Sequence, residues 1–448
     1  MRSFLFVVLG LFGSLMATGQ SVVGSWKGDL SVNGVVLPLV VHIQQTDSAY
    51  TASADSPAQG AFAIPAKVEV RQDSVDIAVQ GGIYVRGRLT NDSTMNTTFL
   101  QGGLNLPLVL KRQHGEKPSE KLNRPQEPQL PYPYDSEDFV ITKDSATVFG
   151  GTITSPKASG KYPAVILVSG SGQQDRDELL FGHKPFKVLA DYLTKNGFVV
   201  LRFDDLGIGE SKGDIFHLTT LTQSDDVDFL LDYLTRYPKV DKDKLGLIGH
   251  SEGGIIAPIV ASQDNRVRYI VSLAGMAIPG YDLLKRQMAD SGGLEVIPVE
   301  KKELYEDLIQ TIKNSEQDDS CRHALQSRID RFAKTNTLTA EDTIGIRRLF
   351  SLWVFTFVRL DPAVYLRQLT IPVMALNGAK DVQVIAQDNI TAFKKYLPAH
   401  KKHVFKIYPN LNHLFQTAET GALIEYATIE ETFHEPVMKD IVAWIKSL

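Results

Sequence analysis

Hydrophobic and polar positions change rhythm twice along this chain. From Ser21 to Lys111 they alternate with period two in short runs ("SWKGDLSV", "VVLPLVVHIQQ", "AKVEVRQ", "SVDIAVQ", "IYVRGRL", "LPLVLKR"), punctuated by Asn33-Gly34, Gly81-Gly82 and Asn91-Asp92. Alternation broken by such dipeptides is the pattern of antiparallel hairpins, and it predicts a small all-β domain, barrel or sandwich, over 21–112. Residues 113–137 ("EKPSEKLNRPQEPQLPYPY" within them) are rich in Pro, Lys, Glu and Gln. Such a composition buries no core and predicts a linker. From 138 to 448 the pattern is different again. Two strands, "DFVIT" and "ATVFGGTIT", precede continuous apolar runs at 163–169, 198–203, 245–250, 269–275, 372–378 and 403–408, with helical stretches between them. Apolar runs without alternation belong to strands covered on both faces, so an α/β architecture with an eight-stranded, mostly parallel sheet is expected.

One interval is too long for that rhythm. About 95 residues separate "YIVSLAG" from "PVMALNG", far more than a strand-to-helix connection needs. Their helical character predicts an inserted helical cap over about 276–368. Within it the apolar stretch Leu349 to Val358 reads either as cap core or as the wall of an acyl pocket, which makes Trp353 a candidate substrate contact.

The first residues, "MRSFLFVVLGLFGSLMATGQ", carry one positive charge, an apolar run and then small residues. This is the pattern of a secretory signal peptide over 1–19, and it predicts an exported protein, periplasmic or extracellular, with no integral membrane segment after cleavage. The single cysteine, Cys321, excludes an internal disulfide and lies in a polar helical stretch unsuited to a nucleophile. A net charge of −5 without a basic cluster interleaved with aromatics points away from nucleic acid as a partner. There is no metal-ligand cluster and no phosphate-binding glycine motif, so no metal and no cofactor is expected.

The pattern G-x-S-x-G occurs twice, at Ser211 and at Ser251. Only Ser251 is followed at once by an apolar helix ("EGGIIAPIVASQ"), as a nucleophile on a sharp strand-to-helix turn requires; Ser211 is followed by a polar loop and reads as structural. A serine needs a base, and the base needs an acid to hold its tautomer. His413 follows the last strand, where a loop can bring it over the strand ends, and is preferred to His434 at the start of the final helix; His403 opens that strand at the wrong end. Asp381 follows the penultimate strand. Ser251, Asp381 and His413 thus stand in the order Ser, Asp, His at one edge of the sheet.

With "SGSGQQDRD" (169–177), "RFDDLGIGES" (202–211), "GHSEGG" (249–254), "LNGAKDVQV" (376–384) and "NLNHLFQ" (410–416), residues 138–448 resemble an α/β-hydrolase, and more narrowly the bacterial esterases related to dienelactone hydrolases. Gly24-Ser25-Trp26 resembles the start of a lipocalin-like barrel. The resemblance implies an oxyanion hole made by the amides of Glu252 and Ser171, with Gly170, Gly172, Gln173 and His250 beside the substrate. It departs from the family in two places: dienelactone hydrolases proper use cysteine where this chain has Ser251, and Leu206 replaces an arginine after the paired aspartates. The expected activity is an exported serine carboxylesterase acting on small or sugar-linked acyl esters. Thioester or peptide cleavage on the same fold, or a binding protein using the β domain, are the alternatives.

Overall fold

The protein's structure is a computed structural model that describes residues 21–32, 35–46, 49–56, 61–79, 83–101, 104–113, 123–289, 299–338 and 340–448. The expected signal segment, 1–19, lies outside them. The chain divides into two compact units, an all-β one and a larger one containing residues 117–448.

The first unit is a closed barrel of eight antiparallel strands: β1 (Gly24–Val32), β2 (Val35–Gln45), β3 (Tyr50–Ser56), β4 (Ala61–Arg71), β5 (Ser74–Val79), β6 (Ile83–Asn91), β7 (Thr94–Gln101) and β8 (Leu104–Gln113). Closure removes the edges that a sandwich would leave, since β1 pairs with β8. The period-two pattern sends Trp26, Val41, Ile43, Ile77, Val85, Met95, Leu108 and Leu110 into the interior, where all are buried. At the seam, Trp26 stands opposite Arg112, whose guanidinium lies 4.2 Å from the indole centroid, while the indole N–H donates to the Val22 carbonyl at 2.8 Å.

The second unit holds β9 (Asp135–Thr142), β10 (Val148–Ser155), β11 (Tyr162–Val168), β12 (Val199–Phe203), β13 (Val240–His250), β14 (Val267–Leu273), β15 (Val373–Gly378) and β16 (Val404–Tyr408) in the order β16-β15-β14-β13-β11-β12-β10-β9. The six strands from β11 onward are parallel; β9 and β10 close the other edge in antiparallel fashion. Alternate residues of one strand feed two cores: Ala164, Ile166 and Val168 of β11 face one, Val165 and Leu167 the other. Helices α1 (Pro185–Lys195), α2 (Thr220–Thr235) and α3 (Gly253–Gln263) follow β11, β12 and β13.

Between β14 and β15 come α4 (Gly280–Ala289), α5 (Val299–Asn314), α6 (Asp318–Ala333), α7 (Ala340–Arg348), α8 (Leu352–Arg359) and α9 (Ala363–Leu366). Helices α4 to α8 share a core of their own that includes Leu308, Ile312, Cys321, Leu325 and Phe355, whereas Leu366 of α9 belongs to the sheet core. Cys321 is wholly buried there. The chain ends with α10 (Ala386–Tyr396), α11 (Leu423–Tyr426) and α12 (Glu435–Lys446). Among the described residues no helix is long and apolar enough to cross a membrane.

The segment expected to be a linker differs from that picture in its second half. Arg124 donates to the carbonyls of Phe181, Ala427 and Ile429, Gln126 bonds Thr432 and Phe433, and Glu127 pairs with Lys184 and Lys187. Composition excludes a core here; it does not exclude docking through polar side chains.

Candidate active site

Strand β13 ends at His250 and α3 begins at Gly253, which leaves two residues for the turn. Ser251 takes φ +53°, a left-handed conformation that costs a non-glycine residue about 1–3 kcal/mol and that thrusts its side chain out of the turn. The packing leaves no alternative to glycine around it. A Cβ on Gly249 would sit 1.9 Å from the Gly253 carbonyl oxygen, and one on Gly253 would sit 2.1 Å from that of Val168. The Ser251 amide is held by the Leu273 carbonyl at 2.9 Å.

Asp381 and His413 come together from the loops after β15 and β16. His413 Nδ1 lies 2.7 Å from Asp381 Oδ2, and both residues are buried. The other carboxylate oxygen accepts the amides of Gln383 and Val384, each at 2.8 Å, so the acid cannot swing. Asn412 fixes the turn that carries His413: its side-chain oxygen accepts the amides of Leu414 and Gln416. Among the described residues no protein group bonds His413 Nε2. His434 is occupied elsewhere, with Glu431 at 2.8 Å, and His403 bonds the Val373 amide and the Pro398 carbonyl at the other end of the sheet.

The loop after β11 brings Gly170 against the nucleophile; a Cβ there would be 3.1 Å from Ser251 Cβ. The amides of Ser171 and Glu252 meet no protein acceptor among the described residues, whereas the Gly170 amide is given to Glu178 Oε1 at 3.0 Å. Gly172 follows with φ +90°. Gln173, expected near substrate, spends its side-chain amide on the Leu206 carbonyl at 2.7 Å and so orders the loop. An arginine of this same loop pairs with the first of the two aspartates. Arg176 grips Asp204 with Nε at 3.0 Å and Nη2 at 2.6 Å, while Leu206 is buried in the sheet core. Ser211 is a structural pin: its hydroxyl donates to the Asp204 carbonyl at 2.7 Å and accepts the Gly150 amide at 2.9 Å.

Two expected substrate contacts have their polar atoms committed to the protein. Both ring nitrogens of His250 are bonded, to Glu178 and to the His413 carbonyl. The Trp353 indole N–H donates to the Glu252 carboxylate, 2.8 and 3.0 Å from its two oxygens. Neither has a free polar atom to offer a ligand. The Glu252 side chain, for which the sequence pattern indicates no role beyond that of its amide, also accepts the Thr220 hydroxyl at 2.5 Å. Burial pushes its carboxyl up to about 6 and that of Asp205 up to about 8.

A mostly parallel sheet with a serine on a strained strand-to-helix turn, and an Asp-His pair on the loops after later strands, defines an α/β-hydrolase. Residues 184–419, just over half of the chain, match the family described as serine aminopeptidase S33 (Hydrolase_4), and the chain belongs to that family. It is 26% identical over 320 residues to esterase EstD of Thermotoga maritima, a match covering 71% of this chain and 70% of EstD. It is 32% identical over 126 residues to an uncharacterized 31.7 kDa protein of Escherichia coli, covering 28% of this chain and 42% of that one. Among solved structures, an esterase of Pyrococcus furiosus aligns with TM-score 0.44 and 18% identity over 74% of this chain and 99% of that one. The protein is an enzyme of the α/β-hydrolase class.

Proposed function

We propose that the protein is an exported serine carboxylesterase that hydrolyses small acyl esters, sugar-linked ones among them, through an acyl-enzyme. The observation that carries this reading is the left-handed, half-buried Ser251 on the β13–α3 turn, with the Gly170 loop packed against it, in a sheet whose later loops carry the buried His413–Asp381 pair. Ser251 Oγ attacks the ester carbonyl carbon as His413 Nε2 takes its proton. Asp381 keeps Nδ1 protonated and balances the imidazolium. The two amides receive the oxyanion, whose collapse expels the alcohol with the proton returned from His413; water then repeats the sequence on the acyl-enzyme. The apolar "h-region" of residues 4–16 supports export.

Ser251→Ala should abolish hydrolysis of p-nitrophenyl acetate and butyrate, and fluorophosphonate labelling with it. Hydrolysis unchanged in that variant would overturn the reading. The S33 family description favours one second reading, aminopeptidase action. Turnover of aminoacyl p-nitroanilides at rates matching the esters would establish it instead.

A further inference from the structure

Two buried groups beside this site have no part in the reaction as drawn. Glu178 is 1% exposed and His250 5%. His250 Nδ1 lies 2.8 Å from Glu178 Oε1, and Nε2 lies 3.0 Å from the main-chain oxygen of His413, whose ring is 4.7 Å away, centroid to centroid. The same Glu178 oxygen accepts the Gly170 amide at 3.0 Å. Glu178 is itself held at φ +53°, in a turn fixed by its amide on the Asp175 carbonyl, a strained placement for a residue with no local need of it.

A proton count follows from the partners. A carbonyl only accepts, so Nε2 carries a hydrogen. The Nδ1 contact with the carboxyl then requires a second one, and the pair holds one proton more than a neutral imidazole beside a carboxylate. We propose that Glu178 and His250 form a carboxylate–imidazolium pair that positions both halves of the reaction centre, the oxyanion loop through Gly170 and the base through the His413 carbonyl. The inference rests on the Ser251 reading. Its surroundings favour the charged form. Burial opposes a charge on His250, but the Glu178 carboxylate, with Asp381 behind it, outweighs burial and holds the imidazole above its ordinary range. Of the other titratable groups near the pair, Asp205, just past β12, is an acid that interacts with Glu178 and adds no cation, and the one base in contact is His413, through its ring and its main-chain oxygen.

Both are positioning residues, and Glu178→Gln separates charge from shape. Gln keeps the volume, but its neutral carboxamide cannot balance an imidazolium while its oxygen accepts two N–H groups. We expect p-nitrophenyl acetate kcat and the rate of fluorophosphonate labelling of Ser251 each to fall about 10²-fold, with KM within about threefold. The alkaline limb of kcat should move to lower pH, because His250 loses its proton more readily without the carboxylate. Wild-type kcat with an unmoved alkaline limb would overturn the proposal. Nitrogen-15 histidine spectra of the wild-type protein make the test independent of how that variant folds: at pH 7.5 both His250 nitrogens should be protonated, and a bare Nδ1 would refute the pair. Absence of labelling in wild-type protein would sink the Ser251 reading instead, and leaves the proton count to be judged by the spectra.

Discussion

At the scale of single residues, the elbow places one carboxyl where its titration can be read. Glu252 supplies an amide to the candidate oxyanion hole and a side chain to Trp353 and Thr220. Burial raises that carboxyl from its ordinary 4.5 to about 6. The folded protein therefore holds this proton more tightly than the unfolded chain does. Its contribution to stability is complete below pH 4.5 and is lost as the pH rises through 6, a change of about 2 kcal/mol. Asp205 shifts in the same direction, so the wild-type slope alone does not isolate Glu252. The difference between wild type and Glu252→Gln does. Urea unfolding should show the variant gaining about 2 kcal/mol relative to wild type between pH 4.5 and 7; a difference independent of pH would show that the carboxyl does not titrate in this way.

Elements decide which residues of a motif do chemistry. The two G-x-S-x-G sequences are equal as strings, and what separates them is the helix after one of them, which the apolar run "GGIIAPIV" announced and α3 supplies. Ser211→Ala should cost about 1–3 kcal/mol, because the Gly150 amide is left buried without its acceptor, yet should change esterase kcat by less than about threefold. A hundredfold loss of kcat in a folded variant would mean that the wrong serine has been assigned. Topology made His413 legible in the same way, since only a residue just past β16 can overhang the strand ends beside Asp381. Glu178 and the Arg176–Asp204 clasp were not legible. "DRDE" is a run of charges with no period and no fixed partner distance, and only folding reveals that one carboxylate turns inward onto His250 while Arg176 crosses to Asp204. For the same reason Trp353 read as pocket lining: an apolar helix face does not disclose that one indole N–H is spent on Glu252.

On the scale of the whole molecule, every group assigned to the reaction comes from residues 169–413, and both cores that flank the sheet consist of residues from 139 onward. The barrel has an interior of its own, closed at the Trp26–Arg112 seam. Covalent continuity is then not required for the chemistry. The docked stretch from 123 is another matter, because Arg124 alone satisfies three carbonyls, on the loop before α1 and near α11. A fragment spanning 123–448 should hydrolyse p-nitrophenyl acetate with kcat/KM within about threefold of the full chain, since the groups a small soluble ester draws on all lie within 169–413. A fragment beginning at 135 loses the Arg124, Gln126 and Glu127 contacts and should unfold at lower urea, by about 1–3 kcal/mol or more for the buried polar groups exposed without partners. Equal stability of the two fragments would show that the docked stretch contributes nothing. If instead the longer fragment folds but loses small-ester activity, the barrel takes part in the reaction itself, and the division of labour drawn from the two cores is wrong.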